Sequence, residues 1–279
     1  MTTQNPGNAE PVLRIKEVTL RFGGLVAVNN LSMDIAGGSI AGLIGPNGAG
    51  KTTVFNVVTG FYKPTKGGVE FMGRPLTGLP PHKVCAAGLS RTFQNIRLFQ
   101  NETVLQNVMI GCHVRQKSAW WQTMAAFPAA VREEREIRER SMELLSHLGL
   151  AGQADANSSS LPYGAQRRLE IARALATQPK FLLLDEPAAG MNPQESEELL
   201  NFIRRLRDDF NLTILLIEHD MKVVMGVCEH IWVMDRGLLI ADGIPSEIRA
   251  NPQVIEAYLG QSAPAAQSEV SLKKEAAHA

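Results

Sequence analysis

The chain has 279 residues, 44% hydrophobic and 20% charged, a balance that fits a globular protein with an ample core. Lys plus Arg and Asp plus Glu each number 28, so the formal charge is zero, which argues against a broad nucleic-acid footprint. Three separated cysteines (Cys85, Cys112, Cys228) form no C-x-x-C pair, which argues against structural disulfides or a zinc site and fits a reducing cytoplasm. The polar start "MTTQNPGNAE" does not read as a signal peptide, and no run approaches the roughly 18 apolar residues that cross a bilayer.

Residues 1–11 read as a loose tail. "VLRIKEVTLRF" then sets Leu13, Ile15, Val18 and Leu20 among charges in a β pattern. "VAVNNLSMDIAGG" alternates Leu31, Met33 and Ile35 and closes on Gly37-Gly38, a hairpin signal. "SIAGLIG" is a short apolar strand running into a glycine-rich loop, and a helix-like "KTTVFNVVTG" follows, ending on Gly60. From about Asn95 to Leu161 the character is helical. "VREEREIRERSMELLSHLGL" places Ile137, Leu144, Leu145 and Leu148 on one face, with Glu134–Arg138 and Glu136–Arg140 in the favourable i,i+4 order on the solvated side. Pro128 separates this helix from an earlier one, whose Trp120, Trp121 and Phe127 read either as packing within the helical block, the commoner use of such aromatics, or as lying against lipid headgroups or a permease. After Lys180 strands and helices alternate ("FLLLD", "PQESEELLNFIRRLRDD", "LTILLIEH", "MKVVMGVCEH"), which implies a parallel sheet. "IWVMDRGLLIADG" reads as a terminal hairpin turning at Arg236-Gly237. The expected organisation is a domain over 12–261 with a helical insertion at about 95–165, and a second tail over 262–279.

The most specific signal is "GPNGAGKTT", formed by Gly45, Pro46, Asn47, Gly48, Ala49, Gly50, Lys51, Thr52 and Thr53. It satisfies G-x-x-x-x-G-K-[ST] between a strand and a helix, the context that pattern requires. The glycines let backbone N–H groups crowd around phosphate oxygens, and the helix N-terminus adds a favourable dipole. Lys51 is expected to reach the β- and γ-phosphates of ATP and the Thr52 hydroxyl to ligate Mg²⁺. Asp185 and Glu186 close an apolar strand. Beside such a loop Asp185 is the expected holder of Mg²⁺ and Glu186 the expected general base for an attacking water. Just upstream, "LPYGAQRRLEIARAL" opens a helix near Gly164 carrying Arg167, Arg168 and Arg173.

In their order, these motifs resemble the ATP-binding subunits of ABC transporters from about Val12 to Gly260. The shared order is "GPNGAGKTT", a Gln-bearing loop, a Gly-containing signature ahead of "LLLDEP", then a strand ending in His. The resemblance implies an α/β fold, a P-loop NTPase (RecA-like) core of ABC ATPase type with an N-terminal antiparallel β subdomain and an inserted α-helical subdomain. It puts Phe22 against adenine with Val28 packed beside it, makes Gln94 the loop glutamine that touches Mg²⁺ or water, and makes His219 the switch residue at the γ-phosphate. Two such subunits sandwich two ATPs, so the basic helix start is expected to serve the partner's nucleotide. The phrases "RFGGLVAVNNLS", "SRTFQNIRLF", "DEPAAGMNP" and "NPQVIEAYLG" are similar to importers of branched-chain, hydrophobic amino acids, with urea and amide importers close by. The implied partners are a second ATPase subunit (a paralogue is favoured over a second copy), two transmembrane permease subunits and, indirectly, a periplasmic or extracellular solute-binding protein. The implied place is the cytoplasmic face of the inner membrane, with "NIRLF" receiving a permease helix.

The chain departs from the family pattern twice. The signature, usually L-S-G-G-Q, reads Leu161-Pro162-Tyr163-Gly164-Ala165, so the serine hydroxyl is missing. The D-loop has Asn192 where Asp is frequent. Two other readings are weaker. A soluble ABC ATPase acting on nucleic acid lacks support from net charge, a coiled-coil arm or a C-x-x-C hook, and a regulatory switch without turnover has no need of Glu186.

Overall fold

The structure, a computed structural model, describes residues 10–116 and 128–259. Trp120, Trp121 and Phe127 lie outside the described residues, as do most of the expected tails. Strands β1 (Leu13–Phe22) and β2 (Leu25–Ile35) form an antiparallel pair joined at Gly23-Gly24. With β4 (Lys66–Phe71) and β5 (Arg74–Pro75) they make a sheet in the order β2-β1-β4-β5. A second sheet runs β10-β9-β3-β8-β7-β6, built from β3 (Ile40–Ile44), β6 (Leu89–Arg91), β7 (Phe181–Asp185), β8 (Thr213–Ile217), β9 (His230–Asp235) and β10 (Leu238–Gly243). It is parallel except for the β9–β10 hairpin, which turns at Arg236-Gly237 as the sequence predicts.

Gly37-Gly38 does not close a hairpin, contrary to expectation. The preceding strand β2 pairs back with β1, while the following β3 joins the other sheet between β8 and β9. The glycines form the corner that hands the chain between sheets, and the Gly38 N–H is fixed to Thr213 Oγ1 at 2.9 Å.

The central strands read as unbroken apolar runs because both faces are covered. On β7, Phe181 and Leu183 face the core shared with the first sheet, while Leu182 and Leu184 face the helical side. The same alternation splits Leu215 and Ile217 from Ile214 and Leu216 on β8. Helix α1 (Lys51–Val58) packs between the sheets through Val54, Phe55 and Val58. The other core gathers α3 (Val104–Cys112), α4 (Pro128–His147), α5 (Tyr163–Ala176), α6 (Pro193–Phe210) and α7 (Met221–Val227). Short α2 (Pro81–Ala87), α8 (Pro245–Ala250) and α9 (Pro252–Leu259) complete the described chain. The face expected on α4 is the buried one, with Ile137, Leu144 and Leu145 in the core and Leu148 just past the helix end.

The basic start of α5 overturns an expectation. Arg167 is only 1% exposed and does not face outward. Its guanidinium donates to the Phe93 carbonyl at 2.7 Å, the Gln94 carbonyl at 2.9 Å and the Glu170 carboxylate at 3.0 Å. Arg173 is partly buried over the Phe99 ring, so only Arg168 of the three stands in solvent. The reason is helical spacing: the side of α5 that packs on the core carries 167 and 170 together. Burial pushes the Glu170 carboxyl above the usual range, and Arg167 opposes this. Removing one partner of such a buried pair leaves the other uncompensated. Arg167→Met should therefore lower unfolding free energy by about 3–5 kcal/mol in urea titrations. A loss below about 1 kcal/mol, typical of exposed pairs, would show that the pair is not structurally essential.

Candidate active site

The phosphate loop is set by close backbone approaches. A Cβ on Gly45 would lie 2.0 Å from the Met234 carbonyl oxygen, and one on Gly50 2.6 Å from that of Ala27. Glycine is required at both, because the end of β9 and β2 press on the loop from behind. Ala49 is gripped the same way, its carbonyl accepting from the Gly237 N–H at 3.0 Å. Lys51 folds back over this loop and its Nζ donates to the Gly45 and Pro46 carbonyls at 2.6 and 2.9 Å. Burial lowers the Lys51 pKa, partly offset by Glu186 and Asp185.

The tips of the parallel strands supply the acids. Asp185 ends β7 and Glu186 follows with φ of 45°, a left-handed conformation costly for a residue with a side chain. The strained step is held by the Glu186 N–H on the Ile217 carbonyl at 2.9 Å, and it turns the carboxylate out into the cleft. Gln94 Nε2 donates to Glu186 Oε2 at 2.9 Å, and His219 Nδ1 lies 3.5 Å from the same oxygen. All three expected catalytic residues thus converge on one atom. Glu218, fully buried beside them, accepts from the Ala188 N–H at 2.8 Å, and burial raises its pKa.

The cleft encloses about 640 Å³ between these groups and β2. Asn47, Gly48, Ala49, Gly50, Lys51, Thr52 and Thr53 line it together with Phe22, Gln94 and Glu186. Phe22 is half exposed at the rim, with Tyr62 edge-on at 5.2 Å. Val28 does not line the cleft and the expectation for it fails. Its side chain is 0% exposed under Gly50, because a register shift against β1 between Val28 and Val26 turns Val28 into the core and leaves the residues before it towards the cleft. Leu25, Val26 and Ala27, with Arg236 and Gly237, form that wall instead.

These residues fit a nucleoside triphosphate with Mg²⁺. The loop offers backbone donors and one ammonium, and Thr52, Asp185 and Gln94 supply hard oxygens suited to Mg²⁺. Among the described residues no group of three or more His, Cys, Asp or Glu could hold a metal by itself. That suits a cation that keeps waters and shares phosphate oxygens.

Sequence reasoning missed Arg91, whose guanidinium donates to Asp185 Oδ2 at 2.6 Å. The available signal was an arginine on an apolar strand ahead of the Gln loop, a cation with an acid-tipped neighbour.

The signature has a different surrounding. α5 begins at Tyr163, one residue before Gly164, with Pro162 at its N-cap and no side chain capping its first turn. Pro162, Tyr163 and Gly164 are exposed, while Leu161 and Ala165 are buried. Tyr163 Oη donates to the Ala189 carbonyl at 3.2 Å. Asn192 caps α6 reciprocally with Glu195, at 3.0 and 2.8 Å.

A family model described as ABC transporter matches residues 28–189, and one described as branched-chain amino acid ATP-binding cassette transporter matches 239–264. The chain belongs to the ABC transporter family. The high-affinity branched-chain amino acid transport ATP-binding protein LivG of Salmonella typhimurium is 49% identical over 254 residues, 91% of this chain and 100% of that protein. The corresponding protein BraF of Pseudomonas aeruginosa is 46% identical with the same coverage. Among solved structures, the ADP conformation of an ATP-binding cassette of an ABC transporter superposes with a TM-score of 0.79 at 32% identity. That match covers 91% of this chain and 100% of the other.

In this ABC cassette the depressed pKa of Lys51 has a stability consequence. The charged amine costs stability in full below its lowered folded-state pKa, and the cost fades as pH rises towards 10.5. Lys51→Met should raise the melting temperature of the nucleotide-free protein at neutral pH, remove that alkaline rise and abolish nucleotide binding. A lower melting temperature would mean that the two loop carbonyl bonds outweigh the burial of charge.

Proposed function

We propose that this ABC ATPase powers an importer of branched-chain amino acids, with Glu186 as its catalytic base. The convergence of Gln94 and His219 on Glu186 Oε2, across the cleft from Lys51, carries the reading. The names of relatives that match end to end support the cargo. Lys51 and the loop N–H groups bind and orient the β- and γ-phosphates. Glu186 accepts a proton from the water that adds to the γ-phosphorus as the bond to the ADP oxygen breaks. Gln94 orients that water, and His219 donates to the γ-phosphate. Thr52, Asp185 and the Gln94 oxygen would hold Mg²⁺, which would neutralise charge on the phosphates.

In this reading the exposed start of α5, which has no side-chain cap, serves the nucleotide of a second ATPase subunit, a paralogue. No helix among the described residues is long and apolar enough to cross a membrane. In the proposed assembly two permease subunits, fed by a solute-binding protein, hold the chain at the cytoplasmic face. Their docking place is a groove of about 500 Å³ lined by Phe93, Arg97, Leu98, Phe99, Ile110 and Arg173. Buried Asn107 fixes its rim, donating to the Phe99 carbonyl at 3.0 Å and accepting from the Phe99 N–H at 2.9 Å. Apolar walls edged by Arg91, Arg97 and Arg173, with Glu170 the one acid among them, fit a short helix with an acidic side.

Glu186→Gln should retain ATP binding and lower turnover by about 10²–10⁴-fold, the usual worth of a general base. Turnover close to wild type would remove Glu186 from this role. Phe99→Glu should reduce transport in reconstituted vesicles far more than ATP hydrolysis by the isolated chain. Unchanged transport would place the permease elsewhere.

A further inference from the structure

Arg91 ends β6, where parallel pairing sets it beside Leu183, two residues short of Asp185. Its side chain is 6% exposed. Nη2 donates to Asp185 Oδ2 at 2.6 Å and Nη1 to Asn56 Oδ1 at 2.7 Å. The guanidinium is also stacked between Phe55 and Phe93, 5.4 and 5.1 Å from their ring centres. Nε is buried without a partner. One planar group therefore joins three elements: the edge strand β6, helix α1 that grows out of the phosphate loop, and the tip of β7. It also lines the docking groove beside Phe93 and Arg97.

A buried arginine with an unmatched Nε is not the cheapest way to fill this space, since an apolar side chain would leave no donor stranded. The fork geometry is what an apolar residue or a lysine cannot reproduce. Its two terminal nitrogens hold two partners at once, one N–H on Asp185 and one on Asn56, and so tie the carboxylate to α1.

We propose that Arg91 is a positioning residue that clamps the Asp185 carboxylate against α1 and the docking groove, leaving the second carboxylate oxygen for Mg²⁺. This rests on the reading of Asp185 as the Mg²⁺ acid. The cation's affinity then depends on a residue that does not touch it, and whose far side forms part of the wall where the permease seats. Partners of this outer kind are worth about 10- to 100-fold in metal affinity.

The test uses the full chain in a Glu186→Gln background, with a fluorescent ATP analogue as probe and Mg²⁺ as the titrant. Arg91→Met should raise the Mg²⁺ concentration for half-maximal Mg²⁺-dependent binding by about 10- to 100-fold, with binding in EDTA unchanged. Arg91→Lys, which keeps a cation and loses the fork, should raise it by less, and it decides the matter by the same criterion where the Met variant does not fold. Wild-type Mg²⁺ dependence with only a lowered melting temperature would overturn the proposal and leave Arg91 a packing residue. Asp185→Asn serves as the separate control. If it alone leaves the Mg²⁺ dependence unchanged, the acid reading beneath the proposal falls. If it shifts the dependence and the Arg91 variants do not, the clamp alone is wrong.

Discussion

A charge buried without a partner costs several kcal/mol, and the nucleotide edge of this fold is made largely of buried charges. Lys51, Arg91, Arg167, Glu170, Asp185 and Glu218 all have nearly enclosed side chains. Apart from the Arg167–Glu170 pair inside α5, the contacts that answer this constraint cross from one element to another. Arg91 joins β6, α1 and β7, Arg167 and Glu170 pin α5 to the Gln loop, and Glu218 pins the end of β8 to the segment after Glu186. The site is therefore held by the need to satisfy its own charges, and the apolar sheets beneath supply the rigid strand tips. Lys51 differs from the rest. Its amine is bonded to two neutral carbonyls of its own loop, and burial has lowered its pKa. An anion is what that ammonium lacks, and the loop is shaped to admit one.

What the sequence revealed and what it hid divide along the distance over which each feature is decided. The phosphate loop is legible because its chemistry is local: nine consecutive residues carry the glycines, the lysine and the hydroxyls. Asp185 and Glu186 are nearly as legible, since an apolar run that ends in two acids can only be a strand emerging from a core. Val28 failed because the register of β2 against β1 decides which neighbour sees the ligand, and that register shifts between Val28 and Val26. Gly37-Gly38 failed because a two-glycine corner looks the same whether the chain turns back on itself or leaves for another sheet. Arg91 and Arg167 were hidden for the same reason in a different form. Partners of theirs lie 94 and 73–74 residues away, brought close by the parallel β6–β7 register for Arg91 and by the packing of α5 on the Gln loop for Arg167.

The two departures from the family pattern sit at the N-caps of α5 and α6. In place of a serine, Pro162 gives α5 an N-cap with no side-chain oxygen, so its exposed first turn keeps its dipole and backbone donors without a competing internal acceptor. Tyr163, in a position where the family has glycine, reaches across to the Ala189 carbonyl and joins this helix start to the segment leading into α6. At the far end of that segment Asn192 is fully engaged in a capping box, which a side chain of its size and an acceptor oxygen satisfy whether it is Asn or Asp. The structure thus replaces one hydroxyl aimed outward with a contact that stiffens the surface internally. A preorganised helix N-terminus loses less freedom on meeting a phosphate than a flexible one. Here the departures leave the first turn of α5 its dipole and backbone N–H groups and add one side-chain tie to the segment before α6.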